Sequence, residues 1–298
     1  MAQRLACGKL PIVCRSLRFR RRCMSAVIFS IERNERRLAT SLKECLVPTS
    51  VALACALMLN IVALARAAAS GCGGELLGQG RVAHVVDAHT LRLADGREIR
   101  LAGIVPSSDA RAILTALVAN RDVVLRGNND APDRYGRQHG YVTRTEDDIS
   151  LQVQLLRAGA ALAAGTVTDA DCAAELAAAE TRARQTRQGV WTTPDAIKNA
   201  ESPSDILAKL GHFIIVEGKV LSARQSGTTF YLNFGRHWVR DFAVIISRQM
   251  IGSLTRDGID IKTLAGRRVR VRGWVEQRSG GPRIQLRGTR QVEILDRR

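Results

Sequence analysis

Aromatic side chains are scarce. Three Trp, three Tyr and six Phe make up 4% of the 298 residues. Apolar residues still reach 46%, with Ala plentiful, which suffices for globular cores and sets two domains plus extensions as the starting expectation. Acidic residues are also few, 28 against 45 Lys and Arg, for a net charge of +17. That excess is unevenly placed. Residues 1–45 carry eleven basic and three acidic groups, 46–69 one and none, 70–210 sixteen and eighteen, and 211–298 seventeen and seven. The middle of the chain is close to neutral, so basicity bears on the leader and the last domain only. Cysteine is thin where it would carry chemistry. Cys7, Cys14, Cys23, Cys45 and Cys55 all precede residue 70, which leaves Cys72 and Cys172. Neither has metal-ligand spacing or a paired His, which argues against cysteine catalysis. An even pair in an oxidising compartment suggests one disulfide, with two unrelated thiols as the alternative.

One uncharged apolar run is present, over residues 46–64, ending in Ala67-Ala68-Ala69-Ser70 and preceded by a basic segment with an arginine-rich run at 18–22. A basic n-region, an h-region and a small-residue cleavage pattern read as a secretory signal, with Met24 an alternative start for so long an n-region. A retained membrane anchor over 46–65 and an imperfect lipobox ending at Cys72 are the rivals. In each case the body of the protein lies outside the cytoplasm. Residues 1–69 are therefore expected to be a basic leader and signal peptide, and the protein to be exported, periplasmic or secreted. Membrane contact is expected only through an uncleaved N-terminal segment.

The chain is organised around residues 81–142. Apolar alternation around Asp95-Gly96 describes strands near 82–86, 90–94 and 97–102, turning at the Asp-Gly pair. Arg100 ends the third strand, and Arg137 opens a later one over 138–142. Two guanidiniums brought together from distant strands make a planar clamp for phosphate. Their bland alternative is pairing with acids such as Asp133 or Glu98. Further on, 108–119 is a helix with Ser108 or Asp109 at its N-cap, and helices follow at 149–158 and 171–187.

The strings Val85-Val86-Asp87-Ala88-His89-Thr90-Leu91-Arg92-Leu93, Arg100-Leu101-Ala102-Gly103-Ile104 and Asp133-Arg134-Tyr135-Gly136-Arg137 resemble the staphylococcal nuclease (thermonuclease-like) family. The likeness continues through residues 155–162 and 176–191. It implies a five-stranded OB-fold barrel with three helices over 70–192, in the α+β class, mainly β. The family's chemistry is phosphodiester hydrolysis. A divalent metal, calcium in its best-known member, rests on carboxylates, a glutamate activates water, and two arginines stabilise the phosphorane. Carried over by position, Arg100 and Arg137 are the two arginines, Tyr135 lines the nucleotide pocket and Arg134 beside it is a further substrate-binding candidate. Asp87 and Thr90 are kept. His89 stands where the family has a second aspartate, Val105 where it has another, and Ser108 where it has the general-base glutamate. The weak metal candidates are Asp87, His89 and Asp109, one residue past the lost glutamate. His89 is also a candidate base, and its bland reading is a solvent-exposed turn residue.

Residues 193–210, with Pro194 and Pro203, read as a linker. Residues 211–298 are strand-rich and read as a second small, basic OB-like barrel. Arg267, Arg268, Arg270, Arg272, Arg278, Arg283, Arg287 and Arg290, with Trp274, Phe230, Tyr231, Phe234 and Trp238, fit a nucleic-acid grip with bases stacked on aromatics. Arg at alternate positions 268, 270 and 272 also fits the wet face of a strand. The expected partner is therefore DNA, RNA or another polyanion, with no small-molecule cofactor. The leading expectation is an exported binding protein descended from metal-dependent nucleases, its metal and base site degenerate. An active nuclease with altered metal chemistry using His89 or Asp109, and an envelope partner-binding module, are the alternatives.

Overall fold

The computed structural model describes residues 71–295. The leader and the apolar run, with the signal or anchor reading placed on them, lie outside the described residues. Among the described residues no helix is long and apolar enough to cross a membrane. Helix and strand are mixed, with strand predominant, and the described residues belong to one compact unit.

The first half is a closed barrel. It contains β1 (Glu75–Asp87), β2 (Thr90–Leu93), β3 (Glu98–Leu101), β4 (Ile104–Pro106), α1 (Ala110–Val118), β5 (Asp122–Gly127) and β6 (Arg137–Arg144). α2 (Leu151–Arg157), β7 (Ala161–Ala163) and α3 (Ala170–Gln185) complete it. The barrel order is β1-β2-β3-β6-β5, with β3 and β6 parallel and the other pairs antiparallel. One long strand serves two neighbours because β1 breaks register at Leu76/Gly78, Val82/His84 and Val85/Asp87, and each irregularity adds bend and twist. The β2–β3 hairpin turns at Asp95-Gly96, with Gly96 at φ 90°, a value that suits glycine. Leu91, Leu93, Ile99, Leu101, Leu125 and Val142 point inward, and Leu114, Leu151, Leu155 and Leu176 cover the barrel. Burying each such side chain contributes roughly 1.5–3 kcal/mol. The Ser150 and Asp169 side chains cap α2 and α3, accepting from Val153 N and Cys172 N; Asp109 stands at the α1 N-cap without such a bond. Cys72 and Cys172 form a disulfide, Cα–Cα 4.1 Å, that ties the chain before β1 to α3.

The second half repeats this order. After 3₁₀ turns at Gly189–Thr192 and Pro194–Ala196 come β8 (Ile197–Asn199), α4 (Pro203–Leu207), β9 (Phe213–Lys219), β10 (Ser222–Ser226), β11 (Thr229–Asn233) and β12 (Ala243–Ser247). α5 (Arg248–Arg256), β13 (Arg268–Arg278), β14 (Gly281–Gln285) and β15 (Val292–Ile294) follow. The strand path is β10-β11-β12-β14-β13-β9-β8, with β15 added to β13. β9 and β10 are the two halves of one bent strand, separated by Val220 and Leu221. The path therefore starts and returns on the same strand, as in the first barrel, and the third-to-fifth contact, β12–β14, is again parallel. Each barrel also places a helix after its third strand. This is the OB-like architecture expected for 211–298.

The stretch 193–210 is not an open tether. β8 pairs in parallel with β9, Ile197 opposite Ile215, and α4 buries Ile206 completely. Trp191, after Gly189, packs with Ala183 of the first barrel and Ile215 of the second. Of the β13 face read as wet, Arg268 is exposed and Arg270 pairs with Glu217 and Glu293, but Arg272 meets the first barrel. Arg272, 9% exposed, donates to Ala163 O at 2.9 Å and pairs with Glu180 of α3 at 2.8 Å. The same carboxylate accepts from Ala163 N at 2.8 Å.

Candidate functional site

Three loops and strand ends bring the predicted residues of the first barrel together. Asp87 ends β1, and the tight turn to β2 makes its carboxylate an acceptor for its own loop. Oδ1 takes His89 N at 2.8 Å and lies 2.9 Å from His89 Nδ1, while Oδ2 takes Thr90 Oγ1 at 3.0 Å. Thr90 opposes Arg100 on β3, and Arg100 opposes His139 on β6. Gly136, at φ 81°, lets the Asp133–Arg137 string fold back on itself. Asp133 Oδ1 then accepts from Tyr135 N and Arg137 N at 2.9 and 3.0 Å, and Oδ2 from Arg137 Nε and Nη2 at 3.0 and 2.8 Å. His139 Nε2 lies 3.1 Å from the same oxygen.

These bonds set the charges. The Arg137 guanidinium holds the Asp133 carboxyl far below the usual carboxylate range, and that carboxylate in turn raises Arg137. Burial works against charge on Asp87, and the bonds from His89 N and Thr90 overcome it, so its pKa still falls below the ordinary value. Burial first, and then the Arg100 charge, push His89 below its ordinary value near 6.5. Arg100 itself is lowered by burial and by Arg137, with Asp87 and Asp133 opposing. No hydrogen bond or ion pair among the described residues involves the Arg100 guanidinium. A half-buried cation without a partner among the described residues, in the field of a second cation, is costly to keep charged.

Tyr135 completes the rim. It is 64% exposed, with the Arg137 and Arg134 guanidiniums 4.8 and 4.7 Å from its ring centre. Arg134 Nη2 also donates to Tyr135 Oη at 2.7 Å.

Other sequence expectations fall differently. Glu98 bonds Arg92, so it does not neutralise Arg100. His89 is not a solvent-exposed turn residue; its side chain is 16% exposed and fixed on Asp87. Ser108 Oγ donates to Asp109 Oδ1 at 3.1 Å, and both residues are exposed at the start of α1. Among the described residues no group of three or more His, Cys, Asp and Glu is arranged to hold a metal. The donors present do not fit calcium, which takes six to eight hard oxygens, roughly. Asp87 offers one carboxylate, already accepting from its own turn, and the neighbouring donor is an imidazole.

In the second barrel most of the basic list is internally committed. Arg270 lies between Glu217 and Glu293, Arg278 and Arg287 share Glu276, and Arg272 and Arg283 are buried. Phe230 and Phe234 belong to the core. Trp238 and Trp274 remain exposed, the latter edge-on to Phe213. A cleft of about 430 Å³ between the barrels is lined by Gly103, Ala163, Leu176, Arg272, Thr289 and Val292, and by no member of the Arg100 group.

Fold and site together define a five-stranded OB-type barrel that brings Arg100, Arg137 and Tyr135 to one place on its surface. Residues 107–193 match the family model described as Staphylococcal nuclease homologue. Tyr135 and Arg137 fall inside the matched residues; Asp87, His89 and Arg100 precede them. Among curated proteins, none matches this chain.

Proposed function

We propose that this protein is an exported, nuclease-derived module that holds the phosphodiester backbone of nucleic acid, or a related polyanion, without hydrolysing it. The observation that carries the reading is the Arg100 guanidinium, half-buried, without a hydrogen bond or ion pair among the described residues, and in the field of Arg137. A phosphate oxygen would relieve both the desolvation and the repulsion, and Asp133 holds Arg137 in place to receive it. Turnover needs more than this grip. The position of the general base holds Ser108, and the only carboxylate in the turn, Asp87, already accepts from His89 N and Thr90 Oγ1. The Cys72–Cys172 disulfide supports an oxidising compartment, and thus export.

The test is an incubation of the full chain with single-stranded DNA and RNA in calcium, manganese, zinc or EDTA, read by both gel shift and strand length. Shifted, uncut substrate whose retention weakens with salt and is lost in Arg100→Ala is the expected result. Cleavage that disappears in Arg137→Ala would overturn the reading and establish a working hydrolase.

A further inference from the structure

The loop 235–241, between β11 and β12, is fixed from below and aromatic and cationic above. Beneath it Arg283 of β14, 4% exposed, donates to the carbonyls of Trp238, Val239 and Asp241, and to that of Pro282. The Asp241 carboxylate accepts from His237 N at 2.7 Å, and a Cβ on Gly235 would collide with that side chain. Arg240 N and Asp241 N both bond His237 O, and Phe234 N bonds Phe242 O across the neck. On top, Arg236, His237, Trp238, Val239 and Arg240 are all exposed, with Trp238 at 68%.

An indole left in solvent on a loop held by a buried guanidinium is preorganised for a flat partner. We propose that Trp238, flanked by Arg236 and Arg240, is a base-stacking site for single-stranded nucleic acid, separate from the arginine pair of the first barrel. The indole face accepts any base, Arg236 offers its charge to the phosphate on one side, and Arg240, held 3.1 Å from His237 Nδ1 and 3.8 Å from Asp241, adds its charge on the other. Tyr231, half-buried on β11, stands opposite Arg224. Duplex is disfavoured because its bases are already stacked. A bilayer is disfavoured because the loop's exposed apolar groups are only Trp238 and Val239, set among cations. The inference takes its ligand class from the function proposed above and its site from the loop alone.

The test uses the full chain and follows binding of a labelled single-stranded oligothymidylate by anisotropy, and quenching of tryptophan fluorescence. Inorganic polyphosphate serves as a polyanion without bases, and phosphatidylglycerol vesicles as a lipid surface. Trp238→Ala is expected to weaken oligonucleotide binding about tenfold. Trp238→Phe should keep most of the affinity, and polyphosphate binding should be unchanged in both variants. Oligonucleotide affinity untouched in Trp238→Ala, an equal loss for polyphosphate, or quenching by vesicles but not by oligonucleotide would each overturn the site. A loss in Arg100→Ala with none in Trp238→Ala removes this site and leaves the first-barrel reading intact. The reverse pattern removes the first-barrel reading alone.

Discussion

Arg272 of the second barrel and Glu180 of the first meet at 2.8 Å, both almost fully buried, and the same carboxylate takes Ala163 N. The two barrels thus share a charge pair that neither satisfies alone. Truncating one partner leaves the other charged and dry. Arg272→Ala is expected to destabilise by about 3–5 kcal/mol, whereas replacing both by apolar residues of similar size costs far less. Urea unfolding of the single and double variants checks this; equal losses would mean that lost packing, not an uncompensated charge, dominates.

The disulfide spans a sequence separation of 100 residues. Cross-linking so long a loop restricts the unfolded chain, and Cys72→Ser is expected to lower stability by about 2–4 kcal/mol. A denaturant midpoint that does not move on substitution or reduction would refute this.

His89 offers a pH signature. Its folded pKa is depressed by burial and by Arg100, so the unfolded chain takes up a proton first as pH falls. Its stabilising contribution is full above about pH 6.5 and is lost as pH drops through the folded pKa. NMR titration of the His89 ring should give a midpoint below 6.5, moving upward in Arg100→Ala. A midpoint indifferent to Arg100 would separate the two groups.

Asp133 discriminates by sign. Removing a negative charge beside an anion site should strengthen anion binding if charge alone matters. The four bonds that fix Tyr135 and Arg137 argue the opposite. Asp133→Asn is expected to weaken oligonucleotide binding by about tenfold, comparable to the loss of a charge-assisted hydrogen bond. Tighter binding in the variant would refute the positioning role.

Much of the first barrel was legible because its signals are local: period-two strands, an Asp-Gly turn and a glycine inside Asp133–Arg137. Arg100 and Arg137 were placed on their strands for the same reason. What escaped is nonlocal. The alternation of Arg268, Arg270 and Arg272 is the same whether the strand faces water or another barrel, so the burial of Arg272 left no mark in its own neighbourhood. Arg283 looks like any surface arginine until its loop of carbonyls is assembled around it. The residues at 193–210 have the prolines of a linker, and only their pairing with β9 makes a strand of three of them.

Among the described residues, that pairing leaves no hinge between the two barrels. A nucleic acid touching both candidate sites would bridge a fixed gap, with all the slack supplied by the nucleic acid itself. Affinity should then rise abruptly at one threshold oligonucleotide length, where the second contact becomes intramolecular, rather than climbing smoothly as it would for two beads on a flexible string.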